Sequence, residues 1–171
     1  KIVPLADVVS FDMVGATDTI QEVFGTSYTF DDYKQCYLNL RKHVKVIPHI
    51  CIGLHAGQIN GEYKAMEFLK SAGCDSLTFI VLIPTKGTRY ENVQTVEVEK
   101  VASILCKARV MFPNIPINLG CMRPGGIYRK KLDELAVLCG VNGIVQPMRE
   151  ALNIATQMGL DIHVDEECCS L

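Results

Sequence analysis

The sequence predicts an α/β fold of about five parallel strands alternating with helices. Three observations predict it. Short, nearly continuous apolar runs bounded by turn residues recur along the chain, the pattern of strands buried on both faces. Amphipathic segments of helical spacing separate them, which makes successive strands parallel. The stretch Val46 to Thr88, VIPHICIGLHAGQINGEYKAMEFLKSAGCDSLTFIVLIPTKGT, is one complete strand–helix–strand unit, and the flanking sequence repeats its grammar.

Taken in order, Ala6 to Val14 reads as the first strand, ending at Gly15, with Asp12 near its C-terminal end on the face of Ser10. A short helical turn after Thr19 precedes a longer helix from about Phe30 to His43, whose Asp31 and Asp32 suit its positive N-terminal end. The second strand spans Val46 to Leu54 and sets His49, Cys51, Gly53 and His55 on one face. Its helix, Glu62 to Ser71, has Asn60 as a cap and Gly73 as a stop. The third strand, Leu77 to Ile83, leads into the loop Pro84 to Thr88. The next helix, about Thr95 to Val110, carries Val98, Val101, Ala102, Leu105 and Cys106 on one stripe. A fourth strand, Ile117 to Met122, opens into Arg123-Pro124-Gly125-Gly126 and a helix reaching Leu138. A short fifth strand, Gly143 to Val145, precedes Gln146-Pro147 and a helix that ends at Gly159. The tail DIHVDEECCSL is a candidate for one more strand before it turns polar.

At 171 residues the chain is read as a single domain, residues 1–171, with a sizeable core. A net charge of −2 with intermixed signs leaves no basic footprint for nucleic acid. Its apolar runs are far shorter than the ~20 residues needed to span a bilayer, and no signal peptide is visible, so a cytoplasmic protein is expected. The eight cysteines lie mostly inside strand or helix patterns without metal-ligand spacing, so most are read as reduced core residues rather than a framework of bridges. The adjacent pair Cys168 and Cys169 follows an acidic run and reads as a tolerated tail. Because the chain opens at Lys1 without Met and soon enters a strand, it is expected to be a piece of a longer protein.

Five units fit either a doubly wound sheet or part of a (β/α) barrel, a complete barrel needing ~250 residues. In both, ligands bind at the C-terminal ends of the strands, which is where Asp12, His55, Lys86, Arg123 and Gln146 fall. Asp12 could hold a ligand's amine or hydroxyl, or cap a loop. His49 reads as a satisfied buried histidine. His55, in the loop, is the better site candidate, and at roughly 3.3 Å per residue the two are too distant for an obvious metal pair. Lys86 follows a strand as a phosphate-binding lysine would, but without the glycine-rich approach of a P-loop. Its polar loop does not suit a Schiff base, which needs a desolvated amine. Arg123 offers a planar fork to a carboxylate or phosphate, and a surface arginine without a ligand is its bland alternative.

Five segments in register carry a resemblance: ADVVSFDMVGATDTIQEVFG, VIPHICIGLHAG, FIVLIPTKGT, KARVMFPNIPINLGCMRPGG and LAVLCGVNGIVQP. Together the chain resembles the C-terminal half of the biotin-synthase-like radical S-adenosylmethionine (SAM) enzymes, strands four to eight of their TIM-type barrel. The resemblance implies a half-barrel that lacks the N-terminal, cluster-binding half. It also implies chemistry in which a 4Fe–4S cluster cleaves SAM to a 5′-deoxyadenosyl radical. The family's cluster motif, C-x3-C-x2-C, is absent from this sequence, so the cluster belongs to the full-length parent and this piece alone is expected to be inactive.

By the same resemblance SAM contacts fall on Asp12, Cys51, Ile52, Gly53 and Ile83, with Gly53 allowing the adenine to approach closely. Substrate contacts fall on His55, Lys86, Asn118 and Arg123. Asp12 stands in a Asp-Met-Val end where the family has Asn-Leu followed by an acid. Ile47 and Asn118 occupy the positions at which biotin synthase holds its auxiliary cluster, so a relative acting on another small molecule fits better than biotin synthase itself. The unpaired edges of a half-barrel make self-association the expected assembly. Two rivals remain: a stand-alone, non-catalytic half-barrel that binds a ligand, and a barrel lyase or aldolase using Lys86.

Overall fold

Each apolar run read as a strand forms one, and each periodic segment between runs forms a helix. The structure is a computed structural model that describes residues 5–166. In chain order β1 (Val8–Asp12) is followed by α1 (Thr17–Phe24) and α2 (Phe30–Arg41), then β2 (Lys45–Ile52) by α3 (Glu62–Ala72). Next come β3 (Leu77–Val81) and α4 (Val98–Met111), β4 (Ile117–Leu119) and α5 (Gly126–Leu138), and β5 (Gly143–Ile144) and α6 (Arg149–Gln157). The strands end sooner than the apolar runs do. Beyond their ends single bonds persist, Met13 N–H to His49 O and Leu82 N–H to Ile52 O, but the continuous ladder stops where the chain turns into the loops. The described part of the tail, residues 160–166, forms no strand, and Cys168 and Cys169 lie outside the described residues.

All strand pairs are parallel, and the sheet order is β1-β2-β3-β4-β5. This order is compatible with part of a (β/α) barrel. Crossovers between parallel strands are right-handed, so a sheet laid down strictly in sequence receives every helix on the same face. A doubly wound sheet needs a reversal of strand order, and none occurs here. The observed order is that of consecutive strands in a (β/α) barrel wall.

Strand alternation then sorts the side chains. Val46, Ile50, Ile52, Leu77, Phe79, Val81, Ile117 and Leu119 face the helices and pack with Tyr37, Met66, Leu69, Ile104, Leu105 and Leu132 in one core. The opposite face carries Ser10, Asp12, Ile47, His49, Cys51, Thr78, Ile80 and Asn118. It is mixed rather than apolar: Ile47, His49 and Thr78 are buried, Cys51, Ile80 and Asn118 half-buried, and Ser10 and Asp12 exposed. Burial of both faces, expected from the apolar runs, therefore holds only in part.

Local chemistry explains the helix ends. Thr29 and Asp32 form a reciprocal capping box at α2, one residue pair of which the acidic start announced. Gly73 stops α3 at φ 81°, and its N–H reaches Leu69 O. Asn60 does not cap α3 as expected. Gly61 is the N-cap, and the Asn60 amide is turned toward Asp18 and Thr19. On α4 the stripe Val98, Val101, Ala102 and Leu105 is buried, but Cys106 is exposed at its border and forms a disulfide with Cys139, Cα to Cα 4.7 Å. That pair is an exception to the reading of most cysteines as reduced, because Cys106, inside α4, and Cys139, at the C-cap of α5, approach within bridging distance. Cys36, Cys51, Cys74 and Cys121 are free.

One glycine contact fixes how α3 meets the end of β1. A Cβ on Gly15 would lie 2.0 Å from Gly61 O and 2.7 Å from Ala65 N, both backbone atoms that cannot swing aside. Gly15→Ala should therefore lower stability by about 1–3 kcal/mol, the usual cost of overpacking, read as a reduced urea midpoint at unchanged slope. An unchanged midpoint would mean that α3 is free to shift.

Candidate functional site

Parallel strands bring all their C-terminal ends to one rim, and below it the register lines up a row of polar residues across the sheet. Asp12 pairs with His49, His49 with Thr78, Thr78 with Asn118, and Asn118 with Gly143. A single polar layer thus crosses the whole sheet on its helix-free face, where barrel interiors are usually filled by bulky branched side chains. Asp12 and Asn118 were expected at a site. His49 was set aside and Thr78 was not considered, because the offset between strands, which aligns them, is not written in any one strand. The Asp12 carboxylate makes no hydrogen bond or ion pair with the other described residues. His49 lies 3.1 Å by Nδ1 from Ile47 O, and since a carbonyl only accepts, Nδ1 carries a proton. Gly143 makes room for the neighbouring side chain: its Cβ would fall 2.6 Å from Asn118 Oδ1.

Nearer the rim Cys51 pairs with Ile80. Burial, with added repulsion from Asp12 and Glu62, pushes the Cys51 thiol up to about 12. It is a protonated, poorly nucleophilic group at neutral pH.

A second cluster sits in the loops above β1 and β2. Thr19 Oγ1 is 3.1 Å from His55 Nδ1, and the Asn60 amide donates to Asp18 at 3.0 Å and to Thr19 Oγ1 at 3.1 Å. Glu62, at the first turn of α3, accepts the Gly53 N–H on Oε1 at 2.8 Å. Its Oε2 is buried without a partner, and Glu62 is among the residues lining a void of about 10 Å³, room for a single water. Burial raises the Glu62 carboxyl from its ordinary 4.5, against the opposing pull of the Gly53 N–H and of His55. Nothing in the sequence singles out Thr19 or Glu62, since each works through a loop that folds back from elsewhere.

The β3–α4 loop closes over this cluster. Arg89 and Tyr90 both reach Glu22 of α1, at 3.4 and 2.7 Å, and Glu22 Oε2 lies 3.8 Å from His55 Nδ1. Lys86 stands on an exposed turn closed by the Thr88 N–H to Thr85 O and by the Gly87 N–H to Glu91. Ile83, half-buried, accepts the Thr85 hydroxyl on its carbonyl at 2.9 Å.

Two expected contacts are already spent inside the fold. The peptide edge at Ile52 and Gly53 was expected to face an adenine. Instead the Ile52 side chain is fully buried on the helix side, its carbonyl accepts from Leu82, and the Gly53 N–H goes to Glu62. The space at Gly53 is filled by Val96, whose Cγ2 would be 2.4 Å from an added Cβ. Arg123, expected to hold a ligand's carboxylate or phosphate or else to sit free at the surface, does neither. It is 2% exposed and forks onto Asp133, Nε to Oδ1 2.7 Å and an Nη to Oδ2 2.9 Å. Its remaining donors reach the Gly120, Val145 and Gln146 carbonyls, while Asp133 also accepts the Met148 N–H.

The structure therefore gathers Asp12, Cys51 and Asn118 on one face, puts His55 with Thr19 and Glu22, leaves Lys86 apart in solvent, and withdraws Arg123. Among the described residues no group of three or more His, Cys, Asp or Glu side chains is placed to hold a metal, and no helix is long and apolar enough to cross a membrane. No protein-family model matches the chain, and no curated protein matches it.

The buried Arg123–Asp133 pair yields one prediction. Arg123→Ala strands a carboxylate in the core and should cost about 3–5 kcal/mol, whereas Arg123→Met combined with Asp133→Leu should recover much of that loss in urea unfolding. Equal losses in both variants would refute the staple. Glu62 yields another. Its folded state holds the proton to higher pH than the unfolded chain does, so stability falls as pH rises from about 4.5 through the raised folded value. Glu62→Gln should flatten that fall, measured as unfolding free energy against pH; an unaltered profile would refute it.

Proposed function

We propose that the chain is the C-terminal part of a biotin-synthase-like radical SAM enzyme, supplying contacts to SAM and to a small-molecule substrate. The observation that carries this reading is the strand order. Five parallel strands in strict sequence, helices on one face and a polar layer on the other, form the wall against which such a substrate would lie. Asp12 is suited to an ammonium or hydroxyl, Asn118 to a group that both donates and accepts, and Cys51 with Ile83 to an apolar ring. Bound SAM would supply the adenosyl group for radical chemistry. The chain's own residues hold, orient and shield the reactants.

Among the described residues the cysteines do not fit an iron–sulfur cluster. Cys36, Cys51, Cys74 and Cys121 lie on α2, on β2, in the α3–β3 connection and after β4, so no cluster ligand set forms among the described residues and no step is routed through one. The cluster of the proposed parent belongs to another part of it. β1 and β5 are the two edges of the sheet, and a second copy or the remainder of a barrel is the proposed partner for them.

A second reading is favoured by a specific observation. The Gly53 N–H and the Arg123 fork, two contacts that the first reading would use, are consumed internally, which suits a non-catalytic half-barrel that binds a different small molecule. The aldolase reading loses ground because Lys86 is exposed rather than desolvated.

Titration of the 15N-labelled chain with SAM tests the choice. Saturable shifts at Asp12, Cys51 and Ile83, weakened about tenfold by Asp12→Asn through loss of an ionic hydrogen bond, are expected, with no 5′-deoxyadenosine formed under reducing conditions. Absence of saturable binding would hand the lead to the binding-module reading.

A further inference from the structure

A cleft of about 530 Å³ opens beside β1, between the end of α1, the α1–α2 connection and α2, in the size range of small-molecule sites. Its walls are the rings of Phe11, Phe24, Tyr28 and Tyr33, with the Asp12 and Asp32 carboxylates at its lining. The rings are ordered by mutual contact: Phe11 and Tyr33 centroids are 6.0 Å apart at 66°, and Phe24 and Tyr33 6.3 Å apart at 35°. Phe24 and Tyr28 remain 43% and 59% exposed, so two aromatic surfaces are open to a ligand.

The two carboxylates differ. Asp32 is committed, its Oδ2 accepting the Thr29 N–H and hydroxyl at 2.8 Å. The Asp12 carboxylate is uncommitted among the described residues, and no Lys, Arg or His among them lines the cleft. Lys34, on the same helix as Tyr33, is turned to Asp31 and the Phe30 ring. The Tyr33 hydroxyl is pushed up by burial and then by the Asp12 charge, so that charge acts on this cleft.

Chemistry narrows the occupant. Aromatic faces carry a negative quadrupole and attract cations most strongly when desolvated. A neutral apolar ligand would strip water from Asp12 without replacing it, at a cost, and an anion would be repelled. A second copy docking by a two-fold axis would bring its own Asp12 against this one.

We propose that this cleft binds a small organic cation, an ammonium on a methylated or otherwise apolar body, with Asp12 as the counter-charge and Phe24, Tyr28 and Tyr33 as the walls. The inference goes beyond the SAM reading and shares only Asp12 with it.

The test is titration of the 15N-labelled chain with choline chloride and, separately, with its neutral isostere 3,3-dimethylbutan-1-ol, at constant ionic strength. Choline should saturate shifts at Phe24, Tyr28 and Tyr33 and bind at least about tenfold more tightly than the isostere, the margin expected of a cation–π site with a counter-ion. Asp12→Asn, at an exposed position whose side chain bonds no other described residue, and Tyr28→Leu should each weaken choline severalfold while leaving the remaining spectrum intact. Equal affinity for the isostere would show an apolar groove only. Cleft signals that change with protein concentration alone would show a second copy there, and no saturable shift would show no site; each overturns the proposal. Failure here leaves the SAM reading standing, since that is read at Cys51 and Ile83 and this at Tyr28 and Tyr33.

Discussion

Everything in this structure depends on one constraint: five parallel strands are paired in the order in which they are made. Right-handed crossovers then allow the helices only one side. The side they cover becomes a single apolar core built from alternate strand residues, and the other side is released from filling that core, although Ile47, His49 and Thr78 on it are buried. That release is what permits Asp12, His49, Thr78 and Asn118 to stand at one level across the sheet.

The loops at the rim are held by polar groups turned inward. Arg123 and Asp133 join the end of β4 to α5 and, through the Val145 carbonyl and the Met148 N–H, to the start of α6. Glu62 ties the end of β2 to the start of α3. Burying these charges is costly, and their return is geometric: Arg123 and Asp133 have several partners in different segments and Glu62 bridges two, so the segments cannot move independently. Glu22 plays the same part at the surface, where Tyr90 and Arg89 draw the β3–α4 loop toward α1.

The two proposed sites use opposite consequences of this architecture. The polar layer lies where the sheet faces away from its helices. The aromatic cleft lies at the β1 edge, where Phe11 turns toward α2 and Phe24 with Tyr28 comes from the segment that links α1 to α2. Asp12, the last residue of β1, is within reach of both because the ladder ends there.

How much was legible in the sequence follows from the range of each interaction. Strands, helices and their order were legible because apolar runs, helical periodicity, Gly73 and the acids at Asp31 and Asp32 act within a few residues of one another. The C-terminal rim was legible too, since parallel strands must share it, and Asp12 was found by that argument, whereas Asn118 was reached only through the resemblance. The resemblance to radical SAM barrels was likewise a property of the sequence and stands as a proposal. Strand register was not legible, so His49 and Thr78 were passed over. Partners across nine or more residues were not legible either: Asp133 took Arg123, Glu62 and Val96 took Gly53, Cys139 took Cys106, and Asn60 left its cap for Asp18 and Thr19. Local sequence determines which groups exist and what they favour nearby. Only the tertiary structure decides which of them are already satisfied, because a charge or a peptide N–H has one strongest partner and distance along the chain does not reveal it.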